Sequence, residues 1–304
     1  MKELLNRIHN ENFKWNDFFL IPSLLSLVIV LLGQMLGYRI GRGLQSVIGI
    51  TPITDHLMLY FSFIGIWIVL FLYLRFTKTN TPILKALTSG PENNTPAMLG
   101  IGLLLGFLMN GFGILCAWLH KDIYLSFDSF HIGYLLLFLI TIFIQSSAEE
   151  LIDRGFLYQR IRRGYRGHWF AILLNSFVFM SLHLANPGTT KLALFNIFVV
   201  GVFYGTCVRY LDSIWICMGI HTAWNFTQNI IFGLPNSGIV TAYSIFRLDA
   251  ANARDSLFYS NSFGIEGTII TTLIHVIGII AIVWWGEKNK RTSYNPWLDR
   301  QTAD

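Results

Sequence analysis

The sequence predicts an all-α polytopic membrane protein with about eight transmembrane helices, and three observations carry that expectation. Of the 304 residues 53% are hydrophobic and 13% charged, about half the charged share of a soluble protein. Mean hydropathy is +0.52. Apolar runs of the roughly 20 residues that cross a bilayer occur eight times, near 18–38, 57–76, 97–118, 130–157, 168–185, 191–209, 213–232 and 267–285.

The first run follows Lys2, Arg7 and Lys14, as the core of a secretory leader would. It is long, and no small-x-small cleavage site follows it, so it is expected to stay as the first helix. Gly33, Gly37 and Gly41 recur at four-residue spacing, as do Gly201 and Gly205, which predicts closely packed helix faces. The fifth, sixth and seventh runs lie close together and are broken by polar residues. Before the last run comes the longest polar stretch, 233–266, whose Gly and Pro punctuation predicts loops and a short surface helix. Cys116, Cys207 and Cys217 lie inside apolar runs without CxxC spacing and read as small hydrophobes. The N-x-T matches at Asn93 and Asn225 fall in an expected cytoplasmic loop and inside a helix, so they read as chance. No internal repeat or soluble domain is visible.

Basic residues set the expected orientation. With the N-terminus inside, 15 of the 22 Lys and Arg fall on the cytoplasmic side, including the run Arg160, Arg162, Arg163 and Arg166. Six fall outside: Arg39, Arg42, Lys121, Lys191, Arg247 and Arg254. Both termini are therefore expected in the cytoplasm. This asymmetry accounts for the net charge of +5 without nucleic acid as a partner.

Charges inside a span cost a few kcal/mol each and persist where they have a task. The fourth run carries Glu149, Glu150, Asp153 and Arg154. At about 100° per residue, Glu150 and Arg154 lie about 40° apart and can pair at i,i+4, whereas Glu149 lies about 140° from Arg154. One glutamate is thus neutralised locally and the other needs a partner elsewhere. A helix end reaching the membrane interface would also tolerate these charges. The fifth run places Phe179 and His183 at i,i+4, although a lone histidine inside a span is more often a hydrogen-bonded packing residue than a catalyst. The seventh places His221 and Asn225 on one face, where interhelical polar contacts are the plain alternative. His275 has no polar partner at helical spacing and reads as structural. Together, two carboxylates, two histidines and an asparagine suit hydrolysis of an acyl bond, with a base for water and donors for an oxyanion. No Ser or Cys stands beside a histidine in these runs, which disfavours a covalent nucleophile. Zinc is an alternative from the Glu and His content, although there is no HExxH.

In order and spacing, Glu149-Glu150-x-x-x-Arg154, Phe179-x-x-x-His183 and His221-x-x-x-Asn225 resemble the three motifs of the CPBP family. That family holds the CAAX-type prenyl endopeptidases and their bacterial Abi and bacteriocin-processing relatives. "RGFLYQRI" and Gly201, Gly205, Ser213 and Trp215 extend the resemblance, which covers about 145–232. "GLPNSG" and "NSFGIEGT" resemble segments of bacterial members. Asp153 departs from the pattern, since relatives often carry an apolar or aromatic residue there. The resemblance divides the chain into N-terminal transmembrane helices (1–129), a catalytic core (130–232), and an outer loop, last helix and tail (233–304). It implies a multi-pass protease of the cell membrane, the inner membrane of a bacterium, acting on a membrane-associated peptide or protein. Glu149 would be the base, and His183 would hold the water. His221 and Asn225 would form the oxyanion hole, with Glu150 and Arg154 bracing the site. No cofactor is expected, with a zinc-dependent version as the alternative. Two other readings stay open: a transporter pathway, against which the lack of repeats counts, and a non-catalytic immunity or scaffold protein. At about 1.5 Å rise per residue, Glu149 is expected about 16 Å above Arg160, His221 about 12 Å above Ser213 and His183 about 22 Å above His168. The last value does not match the others.

Overall fold

The computed structural model describes residues 8–11 and 13–298. Lys2, Arg7 and Arg300, counted above among the cytoplasmic basic residues, lie outside them. The chain is mostly helical: α1 (Leu20–Ile48), α2 (Pro52–Phe61), α3 (Ile64–Phe76), α4 (Pro82–Leu87), α5 (Pro96–Leu119), α6 (Ile132–Glu150), α7 (Tyr158–Gly164), α8 (His168–Leu182), α9 (Lys191–Thr206), α10 (Trp215–Phe226) and α11 (Ile269–Lys288). π-helical stretches, Leu151–Leu157, Cys207–Leu211 and Thr227–Ile231, prolong α6, α9 and α10. Thr-Pro pairs start α2 and α5: Thr51 and Thr95 accept from the Thr54 and Met98 backbone N–H groups, and the proline follows at the first turn.

Among the described residues six helices are long and apolar enough to cross a membrane: Leu20–Ile48, Pro52–Phe76, Pro96–Leu119, Ile132–Gly164, Lys191–Leu211 and Ile269–Lys288. This is a polytopic membrane protein. The other two expected spans are helical but shorter. α8 has 15 residues, and α10 has 12 before its 5-residue π stretch. These are two of the three runs whose apolar signal polar residues interrupt. In 233–266 the expected surface helix is absent. The stretch forms instead a strand, β2 (Phe246–Leu248), antiparallel to β1 (Leu125–Phe127), and a 3-10 turn at Ile265–Gly267 begins before it ends. Polar and glycine residues there favour turns, and the one extended piece finds its hydrogen bonds on the neighbouring loop.

The connections gather at two ends, in the grouping that the basic residues imply. At one end Asp17 pairs with Arg160 and Arg163, Asn10 donates to the Arg162 carbonyl, and Asp212 accepts from the Glu92 and Tyr294 backbone N–H groups. At the other, β1 meets β2, His131 N–H donates to Tyr243 Oη, and Arg254 pairs with Asp122.

Glycines set the helix spacing. A Cβ on Gly37 would stand 1.6 Å from the Ser62 carbonyl oxygen, and one on Gly65 2.0 Å from that of Gly33, so α1 lies backbone to backbone against the α2–α3 break. Gly201 and Gly205 likewise abut Ser176 and Ile172 of α8. α10 is seated on α5 in the same way: added Cβ atoms on Gly106 and Gly219 would meet the Ile220 and Leu99 carbonyl oxygens at 2.3 and 2.4 Å. Gly106→Val is therefore expected to lower the thermal midpoint in detergent by several degrees, overpacking costing about 1–3 kcal/mol. Gly111→Val on the same helix, where a Cβ meets nothing within 4 Å, is expected to melt like the parent.

Candidate active site

The site forms where α6, α8, α9 and α10 meet. The two adjacent glutamates have different surroundings, because successive residues on a helix diverge by about 100°. Glu150 has no exposed side-chain surface; its Oε1 accepts from Arg154 Nη1 at 3.2 Å and from His221 Nδ1 at 3.0 Å. Glu149 is 16% exposed, accepts from Gln145 Nε2 at 2.6 Å, and has Oε2 3.7 Å from His221 Nε2. That last separation is an ion-pair distance, too long for a hydrogen bond.

Arg154 is fully buried. Its Nε and Nη2 find no acceptor among the described residues. Instead the guanidinium carbon stands 4.3 Å from the ring centre of Phe179 and 5.1 Å from that of Tyr204. The phenylalanine of the second motif thus holds the cation of the first, through the negative face of its ring. Tyr204 stacks its ring on His221 at 5.6 Å. Asp153 leaves the Glu150–Arg154 pair intact. Its carbonyl accepts from Asn175 Nδ2 at 2.8 Å, and its buried carboxylate lies beyond hydrogen-bond range of Arg154.

His183 caps the C-terminus of α8. Its Nδ1 lies 2.9 Å from the Phe179 carbonyl, which can only accept, so Nδ1 carries the hydrogen and Nε2 is an acceptor. Asn225 is buried and fully engaged: Nδ2 donates to Gln145 Oε1 at 3.1 Å and Ser146 Oγ at 3.3 Å, and Oδ1 accepts from Asn236 Nδ2 at 3.1 Å. A cavity of about 250 Å³ is lined by Glu149, His183, His221 and Asn225 together, while Glu150 and Arg154 are not among its lining residues. All six residues singled out in the sequence therefore meet, four on the cavity and two behind it. Among the described residues no three of His, Cys, Asp and Glu are grouped as a metal ion would need.

The sequence reading did not single out Gln145, Tyr204, Asn236 or Glu266. Gln145 carried a usable signal, one turn before Glu149. Asn236 and Glu266 reach the site from the outer segment, through contacts that no helical period encodes. His275 is buried against Trp224 and Phe203, with Nδ1 on the Thr271 carbonyl of its own helix, a packed histidine.

Removing either member of the Glu150–Arg154 pair strands the other in a low-dielectric interior, at about 3–5 kcal/mol. Glu150→Gln and Arg154→Ala are expected to lose folded yield and melting temperature. Tyr204→Phe, which keeps the ring under the guanidinium, is expected to melt closer to the parent than Tyr204→Leu.

Residues 131–227 match the family described as type II CAAX prenyl endopeptidase Rce1-like. The matched segment contains all three motifs and ends two residues after Asn225. Over 95% of its length the chain is 25% identical to the uncharacterized protein YyaK of Bacillus subtilis (strain 168), of which it covers 98%. From α6 through α10, this chain is similar to the Rce1-like type II CAAX prenyl endopeptidases, a family of membrane proteases.

Proposed function

We propose that the protein is an intramembrane endopeptidase that hydrolyses a peptide bond of a membrane-associated peptide or protein with water activated by Glu149. The observation that carries this reading is the division between the glutamates. Glu150 is sealed and neutralised by Arg154 and His221, while Glu149 faces the cavity with one oxygen, Oε2, accepting no hydrogen bond. A carboxylate so held can accept a proton from water, and the acceptor Nε2 of His183 can orient that water. The hydroxide adds to the carbonyl carbon. As the C–N bond breaks, the proton taken by Glu149 passes to the leaving nitrogen.

The oxyanion falls to Asn225 Nδ2 and His221 Nε2. Both Asn225 hydrogens rest on neutral acceptors, Gln145 Oε1 and Ser146 Oγ. A developing oxyanion is a stronger acceptor, with charge-assisted bonds roughly twice as strong as neutral ones. The exchange therefore becomes favourable as charge develops, which lowers the barrier without tightening ground-state binding. Nδ1 of His221 donates to Glu150, so Nε2 donates to the oxyanion from the imidazolium form, which the carboxylates of Glu149 and Glu150 on either side favour. No cofactor takes part in this scheme.

Comparing the membrane proteome and secreted peptides of a Glu149→Ala strain with its parent identifies the substrate as the polypeptide that accumulates uncut. On that substrate Glu149→Gln is expected to be folded and inactive, and near-parental turnover by it overturns the base assignment. Asn225→Ala and His221→Ala are each expected to lose about 10²–10³ in kcat with little change in KM. Stoichiometric zinc in active parent protein, lost with His221→Ala but kept by Asn225→Ala, would replace this mechanism with a metal-dependent one.

The charge asymmetry, and the grouping of the connections at two ends, support cytoplasmic termini. Reporter fusions after Arg166 and after Trp285 are expected to read cytoplasmic, and one after Asn252 the opposite side. A non-cytoplasmic reading after Arg166 inverts the topology.

A further inference from the structure

The outer segment sends two side chains to the site that the scheme above leaves unused. Glu266, on the turn before α11, is surrounded by donors: Trp224 Nε1 at 3.1 Å and Asn236 Nδ2 at 3.3 Å reach Oε1, and Ser237 N–H at 2.6 Å and Oγ at 3.0 Å reach Oε2. Asn236 Nδ2 also donates to Asn225 Oδ1 at 3.1 Å. Main-chain bonds hold both residues in place. Asn196 Nδ2 binds the Glu266 carbonyl at 2.7 Å, and Asn236 exchanges backbone hydrogen bonds with Ile239.

A carboxamide is nearly symmetric in shape and opposite in polarity at its two ends, so its orientation is set by its neighbours. Gln145 is itself oriented by Glu149, which accepts from its Nε2, but Glu149 takes up a proton in the scheme above and can then donate, so that end does not hold the amide polarity throughout the reaction. A carboxylate only accepts. Glu266 therefore requires the amide nitrogen of Asn236 on its side, that nitrogen requires the oxygen of Asn225, and the NH₂ of Asn225 is left on the side of Gln145, Ser146 and the cavity. We infer that Glu266 and Asn236 are positioning residues that fix the polarity of the Asn225 amide, making the outer segment part of the catalytic machinery. This rests on the reading of Asn225 as an oxyanion donor.

The test uses full-length protein in detergent and the polypeptide that accumulates uncut in Glu149→Ala cells. Glu266→Gln and Asn236→Ala are expected to lower kcat at least about tenfold, with KM within about twofold, since only transition-state contacts are weakened. In an Asn225→Ala background each is expected to cost less than about twofold further, because the group they act through is gone. Arg254→Ala frees the same segment from Asp122 without touching Glu266, and is expected to retain parental kcat. Losses that multiply with Asn225→Ala, parental kcat in both folded variants, or loss of fold in both variants would each overturn the inference. If Glu266→Gln alone fails to fold, Asn236→Ala decides. If Glu149→Ala changes no cleavage, the protease reading falls, and this role with it. If Glu149→Ala abolishes cleavage while Glu266→Gln and Asn236→Ala do not reduce it, only this role falls.

Discussion

The buried guanidinium of Arg154 is the constraint around which the site is arranged. A lone cation in a membrane interior costs several kcal/mol, and here one carboxylate and two aromatic faces offset that cost. Glu150 comes from the same helix, Phe179 from α8 and Tyr204 from α9. His221 of α10 then closes on both Glu150 and the Tyr204 ring. Four helices are thus fixed by one charge, each desolvated cation–π contact contributing about 2 kcal/mol. The glycine contacts of α9 on α8 and of α10 on α5 make the approach possible, because bulkier residues would hold these helices apart.

With Glu150 consumed by this arrangement, its neighbour is the carboxylate that faces the cavity. The π-helical stretch Leu151–Leu157 begins directly after the pair. Such stretches often mark functional sites, since they shift the side chains that follow relative to a regular helix. The i,i+4 contact of Glu150 with Arg154 nevertheless persists, and the Asp153 carboxylate accepts from Asn175 Nδ2 at 3.4 Å instead. An extra acid at this position therefore does not disturb the brace.

The parts legible in the sequence are those that a period encodes. Apolar runs located every long helix. The 3.6-residue turn separated Glu150 from Glu149 and put Phe179 with His183 and His221 with Asn225. Two kinds of information were missing. Whether a run has full spanning length depends on where its helix stops, and α8 stops at Leu182, with His183 as its cap. The depth mismatch expected for His183 treated this helix as an ordinary span measured from His168. The reading of charges at a membrane interface also gives way, since Glu150, Asp153 and Arg154 have no exposure. The second missing kind is contact between helices. His221 has no acid within a turn of its own helix, yet it lies between two carboxylates from α6.

The same limit explains why the polar stretch 233–266 reads as a loop. Its composition is that of turns, and its contribution is a direction for hydrogen bonds. Helices space the polar groups of the site well, but the carboxamides among them, Gln145, Asn225 and Asn236, can each be turned over without changing shape. A chain of such groups needs an end that cannot be turned. At one end Glu149 accepts from Gln145; at the other Glu266 accepts from Asn236. Both ends demand N–H groups, so the polarity must reverse between them. It does so at Asn225, which accepts from Asn236 and donates to Gln145 Oε1 and Ser146 Oγ. An asparagine can do this because its two polar atoms, on one rigid plane, face opposite partners. A serine or histidine at 225 would offer one hydrogen where the site uses two.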